Sequence, residues 1–283
     1  MAMFEVDEQV LENVKRSFTI PSRPELLLEL QNHLNSKDPD INRVADIVSK
    51  DVGIAAGVLK LVNSAAFGLA RTVSNIRQSA MFIGLNGIYS VVTALVLKQS
   101  FNANECSISL ENFWDRAAIV AQVAVQIGNR FRGNLSQEEI YTAALFQDCG
   151  IPAMALKYQD YNNVLGQGEY DTQYNLAELE EHTYKTNHAV VGYFISSTWQ
   201  LPRNICQHVL LHHDKTFFEQ QHEADEKRLL AIIKMAENIV HQHYCCNDLA
   251  DWYWLKEPIF DLFEIDDDDY LDVVDDVEHF FHA

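Results

Sequence analysis

Five side chains with metal-ligating chemistry recur near helix ends in this sequence: Asp148, His188, the adjacent His212 and His213, and Glu237. Imidazole and carboxylate together suit a dinuclear site for Fe, Mn or Zn. Neighbouring residues on a helix point about 100° apart, so both members of a His-His pair reach one site only near a helix end. Asp148 stands in Leu145-Phe146-Gln147-Asp148-Cys149-Gly150-Ile151-Pro152, where Gly150 and Pro152 stop a helix spanning 137–147. Ser136 opens that helix, with Glu139 three residues on at the capping-box spacing. A helix C-terminus is unfavourable for negative charge. A carboxylate there needs a metal, a cationic partner or exposure to water. Each residue taken singly has a plainer reading. His188 can be a satisfied, partly buried histidine, His212-His213-Asp214 a polar helix terminus, and Glu237 an exposed position on an amphipathic helix.

The elements that must position these residues read as helices throughout. Ser22-Arg23-Pro24-Glu25 has the form of a capping box, followed by Leu26, Leu27, Leu30 and Leu34 on one face. Asp40 caps a run through Val44 and Val48, and a third run after Gly53 ends at Asn63-Ser64. Ser74 opens a run to Gly84, and an apolar helix fills 87–99. A polar loop over 102–109 leads to a long pattern from Phe113 to Phe131. The segment 158–175 reads as a loop or broken helix. Asn175 with Glu178, Asn187 and Pro202 each open a further helix, and a long one covers about 225–246. No sustained period-2 alternation is present, so the expected fold class is all-α.

The chain has 283 residues, 48% of them hydrophobic, enough for a full core. No apolar run approaches the roughly 20 residues of a membrane span, and the N-terminus lacks the basic region of a signal peptide. Five cysteines at 106, 149, 206, 245 and 246 contain no Cys-x-x-Cys and read as reduced thiols in a cytoplasmic protein. The net charge of −20 argues against nucleic acid or an anionic membrane as partner. Residues 248–283 hold 13 acidic residues against one Lys and set the C-terminal end apart. Asp266-Asp267-Asp268-Asp269 reads as a solvated tail or a helix-bounding loop, or else as a segment for a basic partner or Ca²⁺. It lacks the alternating spacing of an EF-hand loop. Trp252, Trp254, Phe260, Phe263 and Phe280 imply that parts of this end pack onto the body.

Several stretches together resemble the HDOD domain, a signalling relative of the HD and HD-GYP metal-dependent phosphohydrolases. These are Asp51 through Phe67 (DVGIAAGVLKLVNSAAF), Ser74 through Leu85 (SNIRQSAMFIGL), Phe113-Trp114, Asn187 through Gly192, Trp199-Gln200-Leu201-Pro202 and His212-His213. The resemblance implies a multi-helix HD-like bundle with an N-terminal helical lobe. It divides the chain into an arm over 1–17, a domain over 18–246 (lobes 18–105 and 106–246) and an acidic extension over 247–283. No receiver, sensor or cyclase domain is expected to be fused to it.

The departures from the family bear on function. Active HD enzymes use a first-helix His, a His-Asp pair and a distal Asp. This chain reads Arg116 at the first position, Gln147-Asp148 at the pair and Glu237 at the distal position. A guanidinium has no free lone pair and stays protonated, so it cannot ligate a metal. After His212-His213 no Gly-Tyr-Pro motif follows. The resemblance therefore implies a bacterial signalling module acting on an unidentified signalling protein or a small ligand, with catalysis lost and no cofactor expected. Asp148 is expected to pair with Arg116, with Gln147 or His188 on its other oxygen. The alternative is a residual phosphohydrolase for a nucleotide or cyclic dinucleotide, with a single Fe, Mn or Zn on Asp148, His188, His212, His213 and Glu237.

Overall fold

The computed structural model describes residues 14, 16–18, 21–64, 67, 69, 71–168 and 173–281. Most of the 1–17 arm lies outside them, as do Ala65, Ala66 and Gly68, and residues 169–172 of the 158–175 segment. The fold is all-α, and no strand occurs among the described residues.

The first half contains α1 (Glu25–Leu34), α2 (Ile41–Ser49), α3 (Val52–Val62) and α4 (Ile76–Ser100). Asp40 and Asp51 cap α2 and α3, accepting from Asn42 N at 2.9 Å and Ile54 N at 3.0 Å. Two expected caps are replaced. Pro24, in extended conformation, precedes α1 with no side-chain cap from Ser22, and Asn75 rather than Ser74 caps α4. The apolar runs 76–83 and 87–99 stack end to end within α4, broken at Gly84 with φ 70° and ψ 171°. Only glycine holds that backbone without strain. Contrary to the expectation from the sequence, α4 has the length and apolarity of a membrane-crossing helix. Most of that stretch is buried against α2, α3 and the following half of the bundle, which accounts for its apolar composition.

Asn63 does more than end α3. Its Nδ2 donates to Leu59 O at 2.9 Å and to Val73 O at 2.8 Å, while its Oδ1 accepts from Val73 N at 2.7 Å. The side chain thus clamps the segment that returns to α4. Ser64 Oγ, by contrast, is buried without a hydrogen-bond partner. Asn63→Ala removes three bonds and should lower folding stability by about 2 kcal/mol. An unchanged denaturant midpoint would show that water replaces the clamp.

The second half contains α5 (Leu110–Phe131), α6 (Gln137–Phe146), α7 (Ile151–Lys157), α8 (Tyr161–Gly168), α9 (Leu176–Tyr184), α10 (His188–Thr198), α11 (Arg203–Leu211) and α12 (Ala224–Cys245). Long α5 and α12 pack on each other, and α6 packs on both. The expected capping boxes at Ser136/Glu139 and Asn175/Glu178 are formed.

The acidic end is folded. α13 (Trp252–Phe263) and α14 (Asp267–Val277) bury Trp252, Leu255, Ile259, Phe260, Tyr270, Val273 and Val277. Of the two plain readings of the four-Asp run, the structure takes the helix-bounding one, with Asp266, Asp267 and Asp268 exposed. Asp266 is the N-cap of α14, accepting from Asp268 N and Asp269 N at 3.0 Å each. Asp267, Asp268 and Asp269 fill the first turn, where the helix dipole favours negative charge. Arg130 and Lys256 neutralise Asp269 and Asp267 at 3.4 and 2.6 Å.

Candidate metal centre

Three helix ends meet at one point. Asp148 lies in the turn after α6, His188 opens α10, and His212-His213 follows α11. Gly150 allows this approach. A Cβ added there would lie 2.0 Å from His188 O and 2.7 Å from Gly192 N, so only glycine lets the Asp148 turn sit on α10. One ligand atom from each of Asp148, His188, His212 and His213 lies within 4.8 Å of the others.

Hydrogen bonds fix which ring nitrogens face inward. His188 Nδ1–H donates to Glu180 Oε2 at 2.7 Å. His212 Nδ1–H donates to Val209 O at 2.8 Å, and His213 Nδ1–H donates to Asp251 Oδ2 at 2.7 Å. In the neutral rings Nε2 is then the bare nitrogen, as in metal-ligating histidines held by a carboxylate or carbonyl behind them. His188 Nε2 lies 3.3 Å from His212 Nε2, and Asp148 Oδ1 lies 3.3 and 3.2 Å from these two nitrogens. Donors on one tetrahedral ion at zinc–nitrogen distances are separated by about 3.3 Å. Three acceptor atoms this close require a positive charge among them, and the donor set fits a divalent ion.

Without a metal, a proton supplies that charge. Burial alone would lower the His188 value, but Glu180 and Asp148 overcome it and push it up to about 10. Burial, with His213 beside it, lowers His212 to about 3. Burial would raise Asp148, but His188 and His212 beside it hold its carboxyl well below the usual range. His188 thus carries the proton and His212 accepts.

The expected Arg116–Asp148 ion pair gives way to other contacts. The Arg116 guanidinium donates to His241 Nδ1 at 3.0 Å and sits over the Tyr244 ring, while Asp148 lies against the two histidines. A protonated His188 already compensates the carboxylate. Glu237 is half-buried rather than exposed, and it stays outside the four-residue group. Its Oε2 lies 2.8 Å from Lys234 Nζ, close as an ion pair but without hydrogen-bond geometry. Burial raises the Glu237 value against the pull of Lys234. Gln147 is buried with its Oε1 unpartnered. Arg116, Gln147, Asp148, His213, Glu237 and His241 all line one cavity of about 420 Å³.

Sequence reasoning missed Glu180, Lys234 and Asp251. Glu180 accepts from the backbone N–H of His188 at 2.7 Å and from the Tyr161 hydroxyl, so a buried chain stands behind His188. Lys234 bonds Asp251 Oδ2 at 3.2 Å. One signal was available: Lys234 and Glu237 follow Leu230 by four and seven residues, on the inward face of α12.

A family model of the HDOD domain matches residues 20–215, more than half of the chain. Over 199 residues the chain is 23% identical to an uncharacterized protein of Treponema pallidum (strain Nichols), covering 69% of this chain and 38% of that protein. It therefore spans well under two thirds of that relative's length. Among solved structures it resembles a candidate phosphohydrolase from Shewanella amazonensis SB2B, with TM-score 0.67, 18% identity and 95% and 93% of the two chains covered. It also resembles a candidate signal transduction protein from Marinobacter aquaeolei VT8, with TM-score 0.64, 15% identity and 96% and 64% covered. These likenesses show the fold, and with the match over residues 20–215 the chain belongs to the HDOD domain family.

Proposed function

We propose that this chain is a bacterial regulatory module, acting in the cytoplasm, that holds one divalent ion on Asp148, His188, His212 and His213. It works by binding a ligand or a signalling protein rather than by turnover. The observation that carries this reading is the convergence of four ligand atoms within 4.8 Å, with each imidazole anchored from behind at Nδ1. Fe, Mn and Zn all accept such a donor set. One ion is favoured over two because Glu237 is committed to Lys234, and the cavity wall beside Asp148 carries Arg116 and Gln147. The five unpaired cysteines support a reducing compartment. The fold shared with the Marinobacter protein supports the signalling role.

A second reading, metal-dependent hydrolysis of a nucleotide or cyclic dinucleotide, is favoured by the cavity of about 420 Å³ bordering Asp148 and His213. A divalent ion bound there would supply Lewis acidity and acidify a water. Metal analysis of the purified protein, with nucleotides and cyclic dinucleotides assayed in parallel, separates the two. Near-stoichiometric metal without turnover is expected. Turnover that disappears in a folded His212→Ala protein would establish hydrolysis, and a metal-free protein that takes up no Fe, Mn or Zn would refute both.

Metal affinity should rise with pH. In the metal-free protein His188 is protonated below about 10, and an incoming ion must displace that proton. One displaced proton gives about a tenfold gain in affinity per pH unit below that value. The same proton contributes folding stability that is full below about 6.5 and fades as pH rises through about 10. Calorimetric titration with Mn²⁺ in buffers of different ionisation enthalpy counts the protons released. A pH-independent affinity would mean that His188 holds no proton to lose.

A further inference from the structure

We infer that Asp251, supplied from beyond the family-matched segment, is a positioning residue that fixes the tautomer of His213 and ties the acidic extension to the metal group. The inference rests on the metal reading above and names a residue that reading does not contain.

Asp251 occupies the position before the first residue of α13, where an aspartate ordinarily caps. Asp40, Asp51 and Asp266 hold the same position at α2, α3 and α14, in extended conformation, and all three accept from the helix backbone. Asp251 instead has helical φ −62° and ψ −25° and makes no capping bond. Its Oδ2 turns inward to His213 Nδ1 at 2.7 Å and Lys234 Nζ at 3.2 Å. The cap that three other aspartates make is given up for a contact with the site.

The turn that delivers Asp251 is pinned. Leu249 N donates to Asn238 Oδ1 at 2.9 Å. Asn238 Nδ2 and Gln242 Nε2 both donate to Asp248 Oδ1, at 2.9 and 2.6 Å. Asn238 Nδ2 also donates to the Tyr270 hydroxyl of α14 at 3.1 Å. Trp252, next to Asp251, packs its ring 5.3 Å from that of Tyr270. Packed contacts and hydrogen bonds therefore run from α14 through Trp252 and the 248–251 turn to His213. A carboxylate behind a ligating imidazole fixes the ring and raises its basicity, and losing it typically costs about 10–100-fold in metal affinity.

The test has a metal-free arm and a metal arm. Nitrogen-15 NMR of the metal-free, histidine-labelled protein, with the His213 signals identified through His213→Gln, reads the tautomer directly. The native protein should show His213 protonated at Nδ1. Asp251→Ala should populate the Nε2–H form, and Asp251→Asn, which keeps an acceptor oxygen, should do so less. In Mn²⁺ titrations Asp251→Ala should lose about 10–100-fold in affinity and Asp251→Asn less. A role confined to stability would lower the melting temperature without moving the tautomer. His213 protonated at Nε2 in the native protein overturns the inference whether or not the variants fold. So does an unchanged tautomer or unchanged Mn²⁺ affinity in Asp251→Ala. If the native protein binds no Mn²⁺, Fe²⁺ or Zn²⁺, the metal reading falls. The inference falls with it as a statement about metal, and the NMR arm still decides whether Asp251 sets His213.

Discussion

His212→Ala is expected to lower divalent-metal affinity by on the order of 100-fold or more while the protein still folds. Losing a partner behind a ligand already costs about 10–100-fold, and losing a ligand costs at least as much. His212 is the informative choice among the four. His188→Ala would strand the buried Glu180 carboxylate, which accepts both His188 Nδ1–H and the His188 backbone N–H. An uncompensated buried charge costs several kcal/mol. His212 is neutral, and its Nδ1–H bonds only the Val209 carbonyl, so removing it leaves no stranded charge. The expected stability loss is about 1–3 kcal/mol. Saturating metal should raise native stability, by about 2.7 kcal/mol at one hundred times the dissociation constant, and this gain should vanish in the variant. Paired thermal scans with and without Mn²⁺ measure both effects. An equal metal-dependent shift in native and His212→Ala proteins would mean that the ion binds elsewhere.

Deleting residues 264–283 should cost several kcal/mol and abolish the cooperative thermal transition. The solvated tail read from the charge run would predict the opposite. α14 buries Tyr270, Val273 and Val277, each worth about 1.5–3 kcal/mol on full burial. The Tyr270 ring packs on Trp252 and Phe260, with centroids 5.3 and 5.6 Å apart. A loss of about 5 kcal/mol is a large part of the 5–15 kcal/mol that holds a typical domain. The truncated protein should also lose metal affinity, because Trp252 and the Asp251 turn pack beneath α14. A truncated chain that melts cooperatively at the native temperature would show that α14 contributes nothing to the core.

Much of the architecture was legible because its signals are local. Caps such as Asp40, Ser136, Asn175 and Asn187 act on backbone groups two or three residues away, and the apolar spacing of α5 and α12 repeats within a single helix. Asp148, His188, His212 and His213 were legible as candidates because a carboxylate at a helix stop and a His-His pair are unusual local events. What those residues touch was not local. Arg116 and Asp148 were expected to pair because the carboxylate needed a counter-charge, yet the proton on His188 supplies it and the Arg116 guanidinium bonds the His241 ring. Glu237 was expected to be exposed or to ligate, and Lys234, three residues away on the same buried face, takes its carboxylate. The four-Asp run left a solvated tail and a helix-bounding loop both open because composition records charge, whereas the dipole of α14 and its buried Tyr270 face decide where that charge sits. Asp251 is the clearest case. In the chain it is 38 residues from His213 and looks like one more helix cap. Whether a carboxylate caps its own helix or reaches a distant imidazole depends on which acceptor-seeking N–H the packing brings within about 3 Å, and only the tertiary structure sets that distance.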